Sequence, residues 1–240
     1  MLRKYTYTHT EESKVFFTSD THFCHAKLVT QRGFKSMAEH DVALLTNWNR
    51  VVRPQDTVIH LGDFLLGVGD KAQAVCLNLF NRLNGQIVLL WGNHLTGVKS
   101  IYENCVTEQH GLDGKAYEVY PTTWNNKVTF VGASLLAHIK TPEAGKAERQ
   151  NHFVFCSHYA QRIWIDANKG VMHASGHAHA TDAESQPDWK LTRRLDVGVD
   201  NFNFTPLGFD EFLRIMKSKT QTIVDNHADD ADADELLKGS

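Results

Sequence analysis

The chain has 240 residues, 42% of them hydrophobic, and a formal net charge of -3. That supports one core of ordinary size, and no linker separates two domains. The negative balance excludes a general nucleic-acid binder, whose affinity rests on neutralising many phosphates.

In chain order, residues 15–18 form a short β-prone run that ends abruptly at Ser19-Asp20-Thr21-His22. Residues 38–52 turn helical, with Val42, Leu45, Trp48 and Val52 on one face, and Pro54 stops the helix. Residues 57–61 form a second strand, ending at Gly62-Asp63. A second helix spans about residues 71–83, with Ala72, Val75, Leu79 and Leu83 on its apolar face, Asp70 as its cap and Gly85 just past its end. Residues 86–90 are a third strand, ending at Gly92-Asn93-His94. The order β-α-β-α-β, with strands that do not alternate, predicts a sheet buried on both faces. The second half is richer in strands, at 117–120, 128–131, 153–156, 171–174 and 194–197, with an exposed loop at 141–151 and a last helix near 210–216. Residues 225–240 hold six acids against Lys238 and read as a disordered tail, leaving residues 1–224 as a single domain. The expected architecture is a sandwich of two mixed sheets with helices outside.

Cys24, Cys76, Cys105 and Cys156 form no C-x-x-C pair, which fits a reduced, cytoplasmic setting. The N-terminus shows no signal-peptide pattern, and no stretch approaches the ~20 apolar residues of a membrane span.

Fourteen histidines are unusual in a chain of this length, and their placement is informative. Asp20-Thr21-His22, Gly62-Asp63, Gly92-Asn93-His94, Ser157-His158 and Gly176-His177-Ala178-His179 each follow an apolar run within zero to three residues. Carboxyl ends of strands in open α/β sheets face one crevice, so the five groups converge on one sheet edge. Two aspartates, four histidines and one asparagine amide suit manganese, iron, zinc, nickel or cobalt better than calcium, and the lack of a cysteine argues against a purely structural zinc. Asp20 and His22 are two apart, as are His177 and His179, so in an extended segment each pair points to one side.

This ordered set resembles the calcineurin-like metallophosphoesterases. Ser-Asp-Thr-His-Phe at 19–23, Asn-Trp-Asn at 47–49, His-Leu-Gly-Asp-Phe at 60–64 and Ser-His-Tyr at 157–159 are similar to its small single-domain bacterial and phage members. The resemblance covers roughly residues 15–200 and implies an α/β, four-layer α-β-β-α sandwich of two mixed sheets. It implies two divalent metal ions, manganese first among them: one held by Asp20, His22 and His179, the other by Asn93, His158 and His177, with Asp63 bridging. It also implies attack by a hydroxide shared between the ions, with His94 facing the leaving group.

Two positions depart from the family. Protein serine/threonine phosphatases carry Asp-Arg where Leu66-Gly67 stands here, which argues against that activity. Many relatives carry an acid after Gly-Asn-His, where this chain has Leu95. A phosphodiesterase acting on a small or nucleotide-type phosphate ester is therefore expected, with a non-catalytic scaffold or a nuclease as rivals. His25 and Arg32 are candidates for contacting substrate phosphate, and His60 for a core or supporting role. Tyr159, Arg162 and Trp164 are candidate pocket residues, the two aromatics fitting packing better.

Overall fold

A computed structural model describes residues 2–95, 97–106, 121–143 and 149–220. In chain order its strands are β1 (Lys4–Thr8), β2 (Val15–Thr18), β3 (Thr57–His60), β4 (Gln86–Leu90), β5 (Thr122–Trp124), β6 (Val128–Gly132), β7 (Ser134–Pro142), β8 (Arg149–Ser157), β9 (Met172–Ser175), β10 (Arg194–Asp196) and β11 (Leu207–Gly208). Its helices are α1 (Ala26–Gln31), α2 (Met37–Val51), α3 (Ala72–Arg82), α4 (Val98–Cys105) and α5 (Phe209–Lys217). The strands form two mixed sheets, ordered β11-β2-β3-β4-β6-β5 and β1-β7-β8-β9-β10. Within them β2, β3 and β4 run parallel, as do β8, β9 and β10.

The continuous apolar strands have two buried faces, as their composition requires. Val15, Phe17, Ile59, Leu61, Val88 and Leu90 point into the core between the sheets, against Leu135, Ala137, Val154 and Cys156. Their neighbours Phe16, Val58, Ile87 and Leu89 point the other way, onto Leu44 and Trp48 of α2 and Cys76 and Phe80 of α3. Helix α5 adds Phe209, Phe212, Ile215 and Met216 to the inter-sheet core. The expected α/β architecture of two mixed sheets flanked by helices is thus the one observed.

Local details differ from expectation. In α2 the buried stripe is His40, Leu44 and Trp48, while Val42 is 57% exposed. The helix turns that way because His40 is drawn inward by hydrogen bonds to Asp41 and Arg32. Ser36 caps it, its hydroxyl accepting from the Glu39 N–H. Asp70 lies inside a 3-10 turn, Gly69–Lys71, and does not cap α3. Strands β7 and β8 reach into the expected loop, pairing from Ser134–Ser157 out to Pro142–Arg149. The expected strand at 117–120 and the tail at 225–240 lie outside the described residues. Among the described residues no helix is long and apolar enough to cross a membrane.

Candidate metal centre

The ends of β2, β3 and β4 in one sheet meet the ends of β8, β9 and β10 in the other. Backbone bonds splice the loops beyond them. The Asp20 N–H donates to Gly62 O (3.1 Å), His22 N–H to Asp63 O (3.0 Å), Gly176 N–H to His158 O (2.9 Å) and Val199 N–H to Ser19 O (3.1 Å). The last of these joins the two sheets, so every polar group predicted at a strand end lands on one rim.

Two clusters form there. Asp20, His22 and His179 bring one ligand atom each within 4.8 Å of one another, and so do Asp63, His158 and His177. Asn93 belongs to the second cluster: its Oδ1 lies 2.8 Å from His158 Nε2 and 2.9 Å from His177 Nδ1. Asp63 sits between the clusters. Its Oδ2 is 3.5 Å from His22 Nε2, 3.6 Å from His158 Nε2 and 3.9 Å from His94 Nε2. Its Oδ1 accepts from the His94 backbone N–H at 2.8 Å.

Cations fit this donor set. Asp20 Oδ1 and His22 Nε2 are buried, have no hydrogen-bond partner and lie 3.7 Å apart. Leaving such groups unpaired costs about 1–3 kcal/mol each, which a cation between them would recover. Burial pushes the Asp20 carboxyl up and holds the His22 imidazole down at about 2. His22 therefore offers a neutral ring with a free lone pair, the form a metal requires.

The backbone here is strained. Asp20, His22, Asp63, His177 and His179 all have φ between 46° and 69°. Each non-glycine residue in this region costs roughly 1–2 kcal/mol. Such outliers persist where surrounding structure over-determines them, and they cluster at functional sites.

Neighbouring bonds select which ring nitrogen is free. His158 Nδ1 donates to Leu61 O (2.9 Å), turning Nε2 toward Asp63. His179 Nδ1 donates to Asp200 Oδ2 (2.9 Å), leaving Nε2 4.0 Å from Asp20 Oδ1. His60, held down at about 3 by burial, accepts from the Gly62 N–H on Nδ1, so its Nε2–H points to Thr21 Oγ1 (3.0 Å). The Thr21 hydroxyl in turn donates to Phe64 O (2.9 Å), tying the Asp20 and Asp63 loops together. His60 has the supporting role expected of it.

Arg32 requires a correction. It presents no guanidinium to substrate, because its side chain is 3% exposed. Nε and Nη2 donate to Asp200 (2.8 and 2.7 Å), and Nη2 also to Asp20 O (2.7 Å). Nη1 donates to Thr21 O and His40 Nε2, both at 3.0 Å. His25 does lie beside the centre, its ring 5.3 Å from that of His22. His94 is 38% exposed, on the open side. Trp164 packs, donating to Val171 O, whereas Tyr159 is 51% exposed with its ring 4.6 Å from that of His177.

Two aspartates were missed. Asp196 is fully buried and accepts from the Gly198 and Ala180 N–H groups. Asp200 accepts from Arg32 and His179; burial alone would raise its carboxyl, yet those bonds hold it at about 2. Their signal was present, one acid ending a strand and a second four residues on, but no histidine accompanied them.

The family model described as calcineurin-like phosphoesterase matches residues 13–205. Uncharacterized protein MJ1445 of Methanocaldococcus jannaschii is 41% identical over 83 residues, which is 34% of this chain and 46% of that protein. This chain thus matches about half the length of that relative. The Gene 66 protein of Mycobacterium phage L5 is 27% identical over 78% of this chain and 87% of its own length. The protein of unknown function AQ665 from Aquifex aeolicus shares the fold, with a TM-score of 0.52 at 19% identity, over 85% of this chain and 99% of that one. With the family model spanning both halves of the centre, the chain belongs to the calcineurin-like phosphoesterases.

Proposed function

We propose that this chain hydrolyses phosphate esters, diesters in preference to monoesters, using two divalent transition-metal ions held around Asp63. Asp20, His22 and His179 would hold one ion, Asn93, His158 and His177 the other, with the Asp63 carboxylate available to both. The observation that carries this reading is the position of Asp63 Oδ2, within 3.6 Å of an Nε2 atom from each cluster. Two divalent ions bound there would supply an activated water and charge to neutralise phosphoryl oxygens.

The chain's own residues do the rest. Asp20 Oδ2 accepts from the His177 N–H at 2.8 Å, so a ligand of one ion fixes the backbone of a ligand of the other. His94 stands on the exposed side, its backbone held by Asp63, and gives a proton to the leaving oxygen or stabilises its charge. His25 borders the same opening and is the candidate for contact with a substrate oxygen. The diester preference rests on charge. Arg32 spends its donors internally, and Leu66-Gly67 replaces the Asp-Arg pair of protein phosphatases, so a dianionic monoester meets less fixed positive charge. A nucleotide-type ester, manganese as the first metal and a cytoplasmic setting with four free cysteines complete the reading.

The test is hydrolysis of bis(p-nitrophenyl) phosphate and p-nitrophenyl phosphate by metal-stripped protein titrated with Mn²⁺. Turnover should require metal and favour the diester. His94→Ala should lower kcat by roughly 10²–10⁴-fold, and Asp63→Asn should abolish turnover. Faster monoester turnover would overturn the diester preference, and turnover without metal would overturn the mechanism.

A further inference from the structure

Arg32 and Asp200 form a shielded ion pair that the reaction above does not use. Their side chains are 3% and 14% exposed. Arg32 has five N–H donors, and each has an acceptor. Nε and one Nη2–H grip the two oxygens of Asp200, the second Nη2–H reaches Asp20 O, and the two Nη1–H groups reach Thr21 O and His40 Nε2. Asp200 Oδ2 also accepts from His179 Nδ1 at 2.9 Å.

We propose that Arg32 and Asp200 are positioning residues for the first metal site, a clamp that joins its three ligands across two distant segments of the chain. This rests on the two-metal reading above. On one segment, Arg32 holds the carbonyls of Asp20 and Thr21, which fixes the loop where Asp20 and His22 take left-handed backbone conformations. On the other segment, Asp200 sets both the tautomer and the tilt of His179. With Nδ1–H committed to the carboxylate, Nε2 is the nitrogen left with a lone pair, and it is the one that faces Asp20 Oδ1. A carboxylate behind a ligating imidazole also raises its basicity. The pair is planar and bidentate, so lysine at position 32 cannot reproduce it: an ammonium offers three donors from one point.

The test uses the full chain, stripped of metal and titrated with Mn²⁺ by calorimetry and by equilibrium dialysis with elemental analysis. Wild type is compared with Asp200→Asn, Asp200→Ala and Arg32→Lys, with His179→Ala marking the first site. Asp200→Asn is the conservative arm, keeping size and one acceptor should the alanine variant fail to fold. Two ions should bind wild type. In Asp200→Asn and Arg32→Lys the affinity of the site that His179→Ala removes should fall by ~10–100-fold, with the other site close to wild type. Excess Mn²⁺ should then restore most of kcat for bis(p-nitrophenyl) phosphate. A merely structural pair would instead lower the melting temperature of the metal-free protein and leave both affinities unchanged; that result overturns the proposal. Wild type that binds no metal overturns the two-metal reading itself, and the clamp with it, in a measurement that needs no variant.

Discussion

Gly92 and Gly176 leave no room for a methyl group. A Cβ on Gly92 would overlap Asp63 Oδ1, and one on Gly176 would overlap Ser19 Oγ and crowd Asp20 Oδ2. The glycines before Asn93 and His177 thus let backbone approach the carboxylates at the centre. Gly92→Ala and Gly176→Ala should lose Mn²⁺ binding measured by equilibrium dialysis while keeping a folded far-UV circular dichroism spectrum. Full metal binding by either variant would show that the close approach is dispensable. At this scale the residues that cluster at the centre were legible because each motif is local: an apolar run, then a glycine or serine, then a donor. Arg32 was misread for the opposite reason. Its partner Asp200 is 168 residues away, and nothing near Arg32 in the chain indicates that its donors are already taken.

Helix α5 shows what amphipathic spacing does for an element. Phe209, Phe212, Ile215 and Met216 recur at steps of three and four, and all are buried in the inter-sheet core. Phe212 packs on Phe17 of β2, ring centroids 4.7 Å apart, one residue short of the Ser19-Asp20 loop. Phe212→Ala should cost about 3–5 kcal/mol of stability, read as a lower urea midpoint; a change below about 1 kcal/mol would place the residue outside the core. Strand runs β2 and β4 and this helix were legible because burial on one or two faces imprints a period on the sequence. Strand β1 was not. It is an edge strand with the alternating pattern Lys-Tyr-Thr-Tyr-Thr, and what fixes it is pairing with β7, about 130 residues on. The stripe of α2 was misplaced because a histidine, polar on paper, is buried there through its hydrogen bonds.

For the whole molecule, buried neutral histidines link stability to pH. His173 is fully buried, accepts from the Gln161 N–H and donates to Phe155 O, and burial holds its imidazole at about 4. Between about 6.5 and 4 the unfolded chain binds a proton there that the folded chain refuses. The group contributes nothing above 6.5 and removes about 1.4 kcal/mol of stability per pH unit between about 6.5 and 4. Urea midpoints of wild type and His173→Gln between pH 7 and 4.5 should therefore diverge, with wild type falling faster; parallel curves would contradict the assignment. Fold class and the convergence of strand ends followed from element order, since parallel strands share their carboxyl ends. The order of strands within the sheets and the meeting of β4 with β8 across the sandwich rest on long-range pairing that no local pattern encodes.

In the proposed mechanism Asp63 lies between two metal ions. Crystals soaked in Mn²⁺ and measured at the manganese absorption edge test it most directly. Two anomalous peaks ~3.5–4 Å apart are expected, one beside Asp20, His22 and His179, the other beside Asn93, His158 and His177, with the Asp63 carboxylate touching both. A single peak, or peaks elsewhere on the surface with Asp63 bare, would contradict it.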